Sequence, residues 1–108
     1  MSNLNYRVRV AVPVHLYDCF DYLLSESQYQ QAQVGARVAV SFGRQNLVGI
    51  IIEKLAPDAP IAAHIKLKSI TELLDDAAIF DANSLKVLTW ASKYYQFPLG
   101  EVLHSALP

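Results

Sequence analysis

Between residues 7 and 74, apolar and polar positions alternate in short runs; beyond residue 80 the repeat lengthens to that of a helix. In RVRVAV (7–12), Val8, Val10 and Val12 share one face and Arg7 and Arg9 the other, the period of a half-buried strand. Pro13 closes the run, because a proline cannot donate to a ladder. FDYLL (20–24) reads as a second strand, with Phe20, Tyr22 and Leu24 on one face and Asp21 and Leu23 on the other. Residues 25–33 are polar and Gln-rich and read as a loop or one irregular turn. ARVAVSF (36–42) and LVGIIIEK (47–54) flank the turn signal Gly43-Arg44-Gln45-Asn46, which predicts a hairpin. Gly49 inside the later run points to a bulge or to the close approach of another backbone. A Pro-containing loop covers 56–64, and KLKSITEL (66–73) alternates again as a fifth strand.

The helical part opens at Asp81, a good N-cap, with Phe80 and Leu85 placed as a hydrophobic staple. Val87, Trp90, Ala91 and Tyr94 recur at helical spacing, as do Leu85 and Leu88. The pattern predicts a helix over 82–95, with Trp90 and Tyr94 on its core side; a base-stacking platform is the other use of Trp90, Tyr94 and Tyr95. Pro98 breaks the helix, and 100–106 forms a short second one. The expected fold is one mainly β domain, a small OB-like β-barrel of about five strands (7–74) with one or two C-terminal helices (80–108) on one side or end.

Composition narrows the class. Of the 108 residues 53% are hydrophobic, enough for a real core, and four Gly and five Pro are too few for a disordered chain. No apolar run approaches the roughly 20 residues of a membrane span, and residues 1–6 do not resemble a signal peptide. The single cysteine, Cys19, cannot form an internal disulfide, in keeping with a reducing compartment. A cytoplasmic protein is expected, with no membrane partner. The net charge of −1 argues against coating nucleic acid by bulk electrostatics. Residues 1–70 carry seven Lys/Arg against five Asp/Glu, and 71–108 two against five, which leaves room for a local basic site in the first part.

Catalytic signatures are missing: the chain has no phosphate-binding glycine loop, no zinc-protease helix and no nucleophile elbow. His15, His64 and His104 lie far apart, and Asp75-Asp76 sits in a link, so neither a metal site nor an acid–base pair is expected. Arg7 and Arg9 share a strand face that can be a solvated surface or touch phosphates. Three further elements carry chemistry, each with a plain structural reading beside it. Phe20-Asp21-Tyr22 joins an aromatic, able to stack on a base, to a carboxylate that accepts from a sugar hydroxyl or base amine. It is equally an amphipathic strand with an exposed Asp. Phe42-Gly43-Arg44 is a hairpin tip that lets a ligand approach backbone, or simply a turn. Lys66 and Lys68 neutralise a phosphate, or protect an edge strand.

Taken in order, VAVPV, FDYLL-SE, VGARVAVSFGR, LVGIII, KLKSITELLD and WASKYY-Q-FPLGEVLHSALP resemble the N-terminal domain of the primosomal replication-restart helicases, the PriA (primosomal protein N′) family, over nearly the whole chain from Val8 to Pro108. One departure is Ser41, where the family usually has proline. The resemblance implies a non-catalytic, OB-like domain that grips the 3′ end of the nascent leading strand at a stalled fork. Its pocket residues fall on Phe20, Asp21, Gly43 and Lys68, with Tyr22, Arg44 and Lys66 as neighbours. It also implies that this chain is the N-terminal piece of a longer ATP-dependent DNA helicase. The ATP, Mg and Zn sites of that helicase lie further along, leaving no cofactor here. Expected partners are DNA, the remaining helicase domains in cis, and single-strand-binding and primosome proteins. A protein-interaction module that docks a replication partner is the alternative.

Overall fold

The computed structural model describes residues 4–14, 19–61 and 67–108. His15, His64 and Lys66 lie outside them. The alternating runs become β1 (Arg7–Ala11), β2 (Phe20–Leu23), β3 (Arg37–Phe42) and β4 (Gln45–Lys54), followed by a two-residue β5 (Glu72–Leu73). Helix α1 (Glu26–Gln31) lies between β2 and β3, and α2 (Ala82–Tyr95) and α3 (Leu99–Ala106) end the chain. The strands form one antiparallel sheet in the order β2-β1-β4-β3-β5, so the mainly β fold with C-terminal helices is present. The sheet is not a closed barrel. Its edges are instead stitched at one parallel bridge, Leu23 to Ser69, where the Leu23 N–H donates to the Lys68 carbonyl (2.9 Å) and the Ile70 N–H to the Leu23 carbonyl (2.8 Å).

That stitch corrects the expected fifth strand over 66–73. Residues 68–70 bond to β2 and Thr71 to Ala39 of β3, so the segment crosses between two strands and gives only two residues to a ladder. The polar run 25–33 is also more regular than expected. Ser25 accepts from the Gln28 N–H (3.1 Å) while the Gln28 side chain accepts from the Ser25 N–H (2.9 Å), a reciprocal cap that starts α1. Tyr29 of α1 packs on Tyr6, at 5.2 Å between ring centroids, and donates to the Leu55 carbonyl.

Each face of the sheet builds its own core. Val8, Val10, Val12, Tyr22, Leu24, Val38, Val40, Ile51 and Ile70 fill the inside of the curl. On the outer face Ala11, Ile50 and Ile52 meet Phe80 and the helices through Leu85, Leu88, Leu99 and Leu103. A bulge in β4 reconciles the two. Arg9 pairs with Glu53 but Val10 with Ile51, leaving Ile52 as the extra residue, so Ile52 and Glu53 both face outward. Gly49 is the close approach expected of it: a Cβ there would press on the Val10 side chain and the Ala11 carbonyl. Asp81 caps α2 by accepting from the Ser84 N–H at 2.7 Å, and that bond holds its carboxyl below the ordinary carboxylate range.

Arg37 and Asp75 pin the strap that follows β5. Asp75 accepts from the Arg37 N–H (3.0 Å), Nε (2.9 Å) and Nη2 (2.9 Å). The guanidinium bonds hold the Asp75 carboxyl below its usual range. Its contribution to stability is therefore fully present above the unfolded-chain pKa of about 4 and is lost as pH falls through the lower folded value. Asp75→Asn is expected to cost about 1–2 kcal/mol at neutral pH, read as a lower urea midpoint. The gap to wild type should narrow on acidification; a gap that stays constant down to about pH 2 would count against this linkage.

Candidate nucleic-acid interface

Residues of β2 alternate between the two faces, so Phe20 and Asp21 face opposite ways. Phe20 turns inward and meets Phe42 edge-to-face, with centroids 4.9 Å apart and planes at 66°. Phe42 is the last residue of β3, and Phe42 pairs with Gln45 across a two-residue turn of Gly43 and Arg44. Gly43 has φ of 61° while Arg44 is not in the positive region, the pattern of a type II′ turn that places glycine first. Both are exposed, and a Cβ on Gly43 would meet nothing within 4 Å. The tip is tied down from below: the Tyr22 hydroxyl donates to the Ser41 carbonyl at 3.0 Å. Phe20, Gly43 and Arg44 thus share one end of the curl. A proline at position 41 would offer the same carbonyl, so the departure at Ser41 leaves this tie intact.

Tyr22 itself is only 4% exposed, and burial raises its phenol pKa. Its place is structural, under the tip, and it has no surface to present to a strand.

Asp21 faces outward into a row of charges. Arg9 of β1 lies directly opposite, its Nε donating to Asp21 Oδ1 at 3.1 Å, and the same guanidinium donates from Nη1 to Glu53 Oε1 of β4 at 3.1 Å. The bond to Asp21 raises the Arg9 pKa above its ordinary value. Arg7 Nη1 stands 4.0 Å from Asp21 Oδ2. Arg7 is not the solvated residue that its alternation suggests. Its side chain is 7% exposed, covered by the loop after β4, with Nη2 donating to the Ala59 carbonyl at 2.9 Å and Nε without a partner.

Lys68 is exposed, and its backbone is bonded to Leu23 at the far end of β2. Three residues of extended chain separate Leu23 from Phe20, about 10 Å. Along β2 the Leu23 N–H and carbonyl point away from β1, toward residues 68–70, while the Leu24 N–H turns back to the Tyr6 carbonyl. The same alternation directs the Asp21 N–H and carbonyl away from β1, on a stretch of edge beyond the Leu23 stitch. Lys66, named with this group from the sequence, lies outside the described residues. Sequence reasoning missed Phe42 as the ring partner of Phe20 and Arg9 as the partner of Asp21. Alternation places Arg9 on an outer face but does not reveal the register that sets it opposite Asp21.

The helix face is the clearest correction. Trp90 (58% exposed), Tyr94 (66%) and Tyr95 (61%) are on the surface, not in the core. Trp90 stacks on Tyr94 with centroids 5.0 Å apart and planes at 21°, and Tyr94 meets Tyr95 edge-on. Leu85 and Leu88, half-buried against the outer core, and buried Ser92 make the inward stripe. Among the described residues no three His, Cys, Asp or Glu side chains are placed to hold a metal ion, and no helix is long and apolar enough to cross a membrane.

Residues 9–108 match the family described as the 3′DNA-binding domain (3′BD) of PriA. The chain is 41% identical over 101 residues to the replication restart protein PriA of Haemophilus influenzae, covering 94% of this chain and 13% of that protein. It is 28% identical over 101 residues to the PriA of Buchnera aphidicola subsp. Schizaphis graminum (94% and 14%). The PriA of Treponema pallidum is 30% identical over 97 residues (88% and 15%). The chain therefore spans about one-seventh of the length of these relatives. With the match running from the middle of β1 to the last residue, the chain belongs to the 3′DNA-binding domain family of the replication restart protein PriA.

Proposed function

We propose that this chain binds the 3′-terminal nucleotide of a DNA strand and reports a free 3′-hydroxyl to a replication-restart helicase. The observation that carries the reading is the N-terminal end of β2. There the half-buried Phe20–Phe42 pair adjoins the exposed turn at Gly43, and Asp21, next along β2, turns its backbone N–H and carbonyl away from β1. In this reading the terminal base rests against Phe20 and the turn at Gly43. The 3′-hydroxyl donates to Asp21 or to the edge carbonyl beside it, and Arg44, Lys68 and Lys66 offset the charge of phosphates further along the strand. A carboxylate suits a strand end because it accepts from a hydroxyl and repels a phosphate. Few cations are committed to the strand, so the domain alone binds weakly. Its effect in a longer protein comes from effective concentration beside other DNA-binding parts. The reading gives residues 1–108 no ATP, magnesium or zinc site; those belong to other regions of such a helicase. The work is set at forks in the cytoplasm, with single-strand-binding and primosome proteins as partners.

Anisotropy with a 5′-labelled oligonucleotide tests the reading. A strand ending in a 3′-hydroxyl should bind about tenfold tighter than the same strand ending in a 3′-phosphate, the worth of one lost charge-assisted hydrogen bond. Equal affinities would remove end recognition. The exposed aromatic face of α2 favours a second reading, a protein-docking module. Complex formation with a replication protein, without DNA binding at low salt, would select it.

A further inference from the structure

The charged row on the outer face has a role that the pocket residues alone do not supply. Arg9 sits on the middle strand of three, opposite Asp21 on one side and opposite Glu53 on the other, and gives one guanidinium nitrogen to each carboxylate at 3.1 Å. The bulge at Ile52 is what turns Glu53 to this face. A planar fork held at two points has little freedom left. Only the Oδ1 oxygen of Asp21 is taken by it; Oδ2 has no hydrogen bond from Arg7, whose nearest nitrogen is 4.0 Å away, outside bonding distance. Among the described residues the carboxylate is thus anchored by hydrogen bonding through one oxygen, while the other has only the longer ion pair to Arg7.

We propose that Arg9 is the positioning residue of the end-binding site: clamped by Glu53, it fixes the Asp21 carboxylate so that Oδ2 is presented to the strand terminus. The proposal rests on Asp21 recognising that terminus. Arg9 touches no DNA in this scheme. It acts through Asp21, and its effect is on discrimination between ends more than on affinity for strands in general.

Three substitutions separate positioning from plain charge: Arg9→Lys, Arg9→Gln and Asp21→Asn, with the Arg9→Gln/Asp21→Asn double variant. The quantity read is the ratio of Kd for 3′-phosphate to Kd for 3′-hydroxyl oligonucleotide, with the slope of affinity against salt. Arg9→Lys keeps the charge but loses the fork, so the ratio should fall about fivefold at an unchanged salt slope. Arg9→Gln should lower the ratio as much, and it should have no further effect in the Asp21→Asn background, because the two residues act as one unit. If Arg9 were a phosphate contact, lysine would preserve the ratio, and glutamine would weaken both ends alike while the salt slope fell by about one. That pattern, or additive effects in the double variant, overturns the role of Arg9. Both outcomes presuppose a wild-type preference. Its absence fells the end-binding reading itself, whereas a wild-type preference that survives intact in Arg9→Gln sinks only the positioning role. Arg9 is half-buried on the outer face, and unchanged thermal midpoints check that the variants are folded.

Discussion

Gly100→Ala is expected to dislodge α3 and destabilise the domain by about 3 kcal/mol or more. Gly100 is the second residue of α3 and is buried where the helix crosses the end of β1. A methyl built on it would fall onto the Val12 carbonyl oxygen and carbon, deep inside van der Waals contact. These are backbone atoms, so no side-chain rotation relieves the overlap. Helix propensity pulls the other way, since alanine is better than glycine in a helix by about 1 kcal/mol. The overlap wins, because it can be relieved only by moving α3 off the sheet. That motion opens the cluster around Leu103, which is 0% exposed and packs with Ala11, Ile50 and Phe80. Urea denaturation and amide exchange at Leu103 measure the effect. A variant as stable as wild type, with Leu103 still protected, would show that α3 does not depend on this contact.

Gly100 also shows where sequence reading stops. Period-two alternation was enough for β1, β2 and the β3–β4 hairpin, because the inner face of the curl takes Val8, Val10, Tyr22, Val38 and Val40 at alternate positions and the pattern records it. The Asp81 cap and the length of α2 were legible for the same reason: the signals are local. Which stripe of α2 is buried was not. Leu85 with Leu88, and Val87 with Trp90 and Tyr94, both recur at helical spacing, and only the sheet beneath decides between them. The larger aromatic stripe lost, because it is on the far side of a helix that sits on Ile50 and Phe80. Residues 67–73 misled for a related reason. Their alternation is real, but Ile70 enters the inner core from a strap that leaves one strand for another. The site followed the same rule. Phe20 and Asp21 could be assigned to opposite faces from the sequence, and Gly43 to a turn. The Phe20–Phe42 contact and the Arg9–Asp21–Glu53 row are cross-strand facts that depend on register.

The effect expected to be most diagnostic for function is a crossover in Asp21→Asn. Asparagine keeps the shape of the side chain and an oxygen for Arg9 Nε to donate to, but removes the negative charge. The bond from a 3′-hydroxyl loses its charge assistance, so that strand should bind about tenfold more weakly. The 3′-phosphate strand should bind more tightly than it does to wild type. Its repulsion from the Asp21 carboxylate is gone. Two ligands that differ in one phosphate would thus move in opposite directions on one substitution. Misfolding cannot produce that result, because loss of the site weakens both strands together. Loss of bulk charge contact cannot either, since removing an acid strengthens electrostatic binding to both. The titrations need low salt, because screening within about 10 Å at 0.1 M would shrink the gain on the phosphate side. If both strands bind Asp21→Asn more tightly, Asp21 is a source of general repulsion and not a reader of the terminus. If neither changes, the end is recognised elsewhere on the domain.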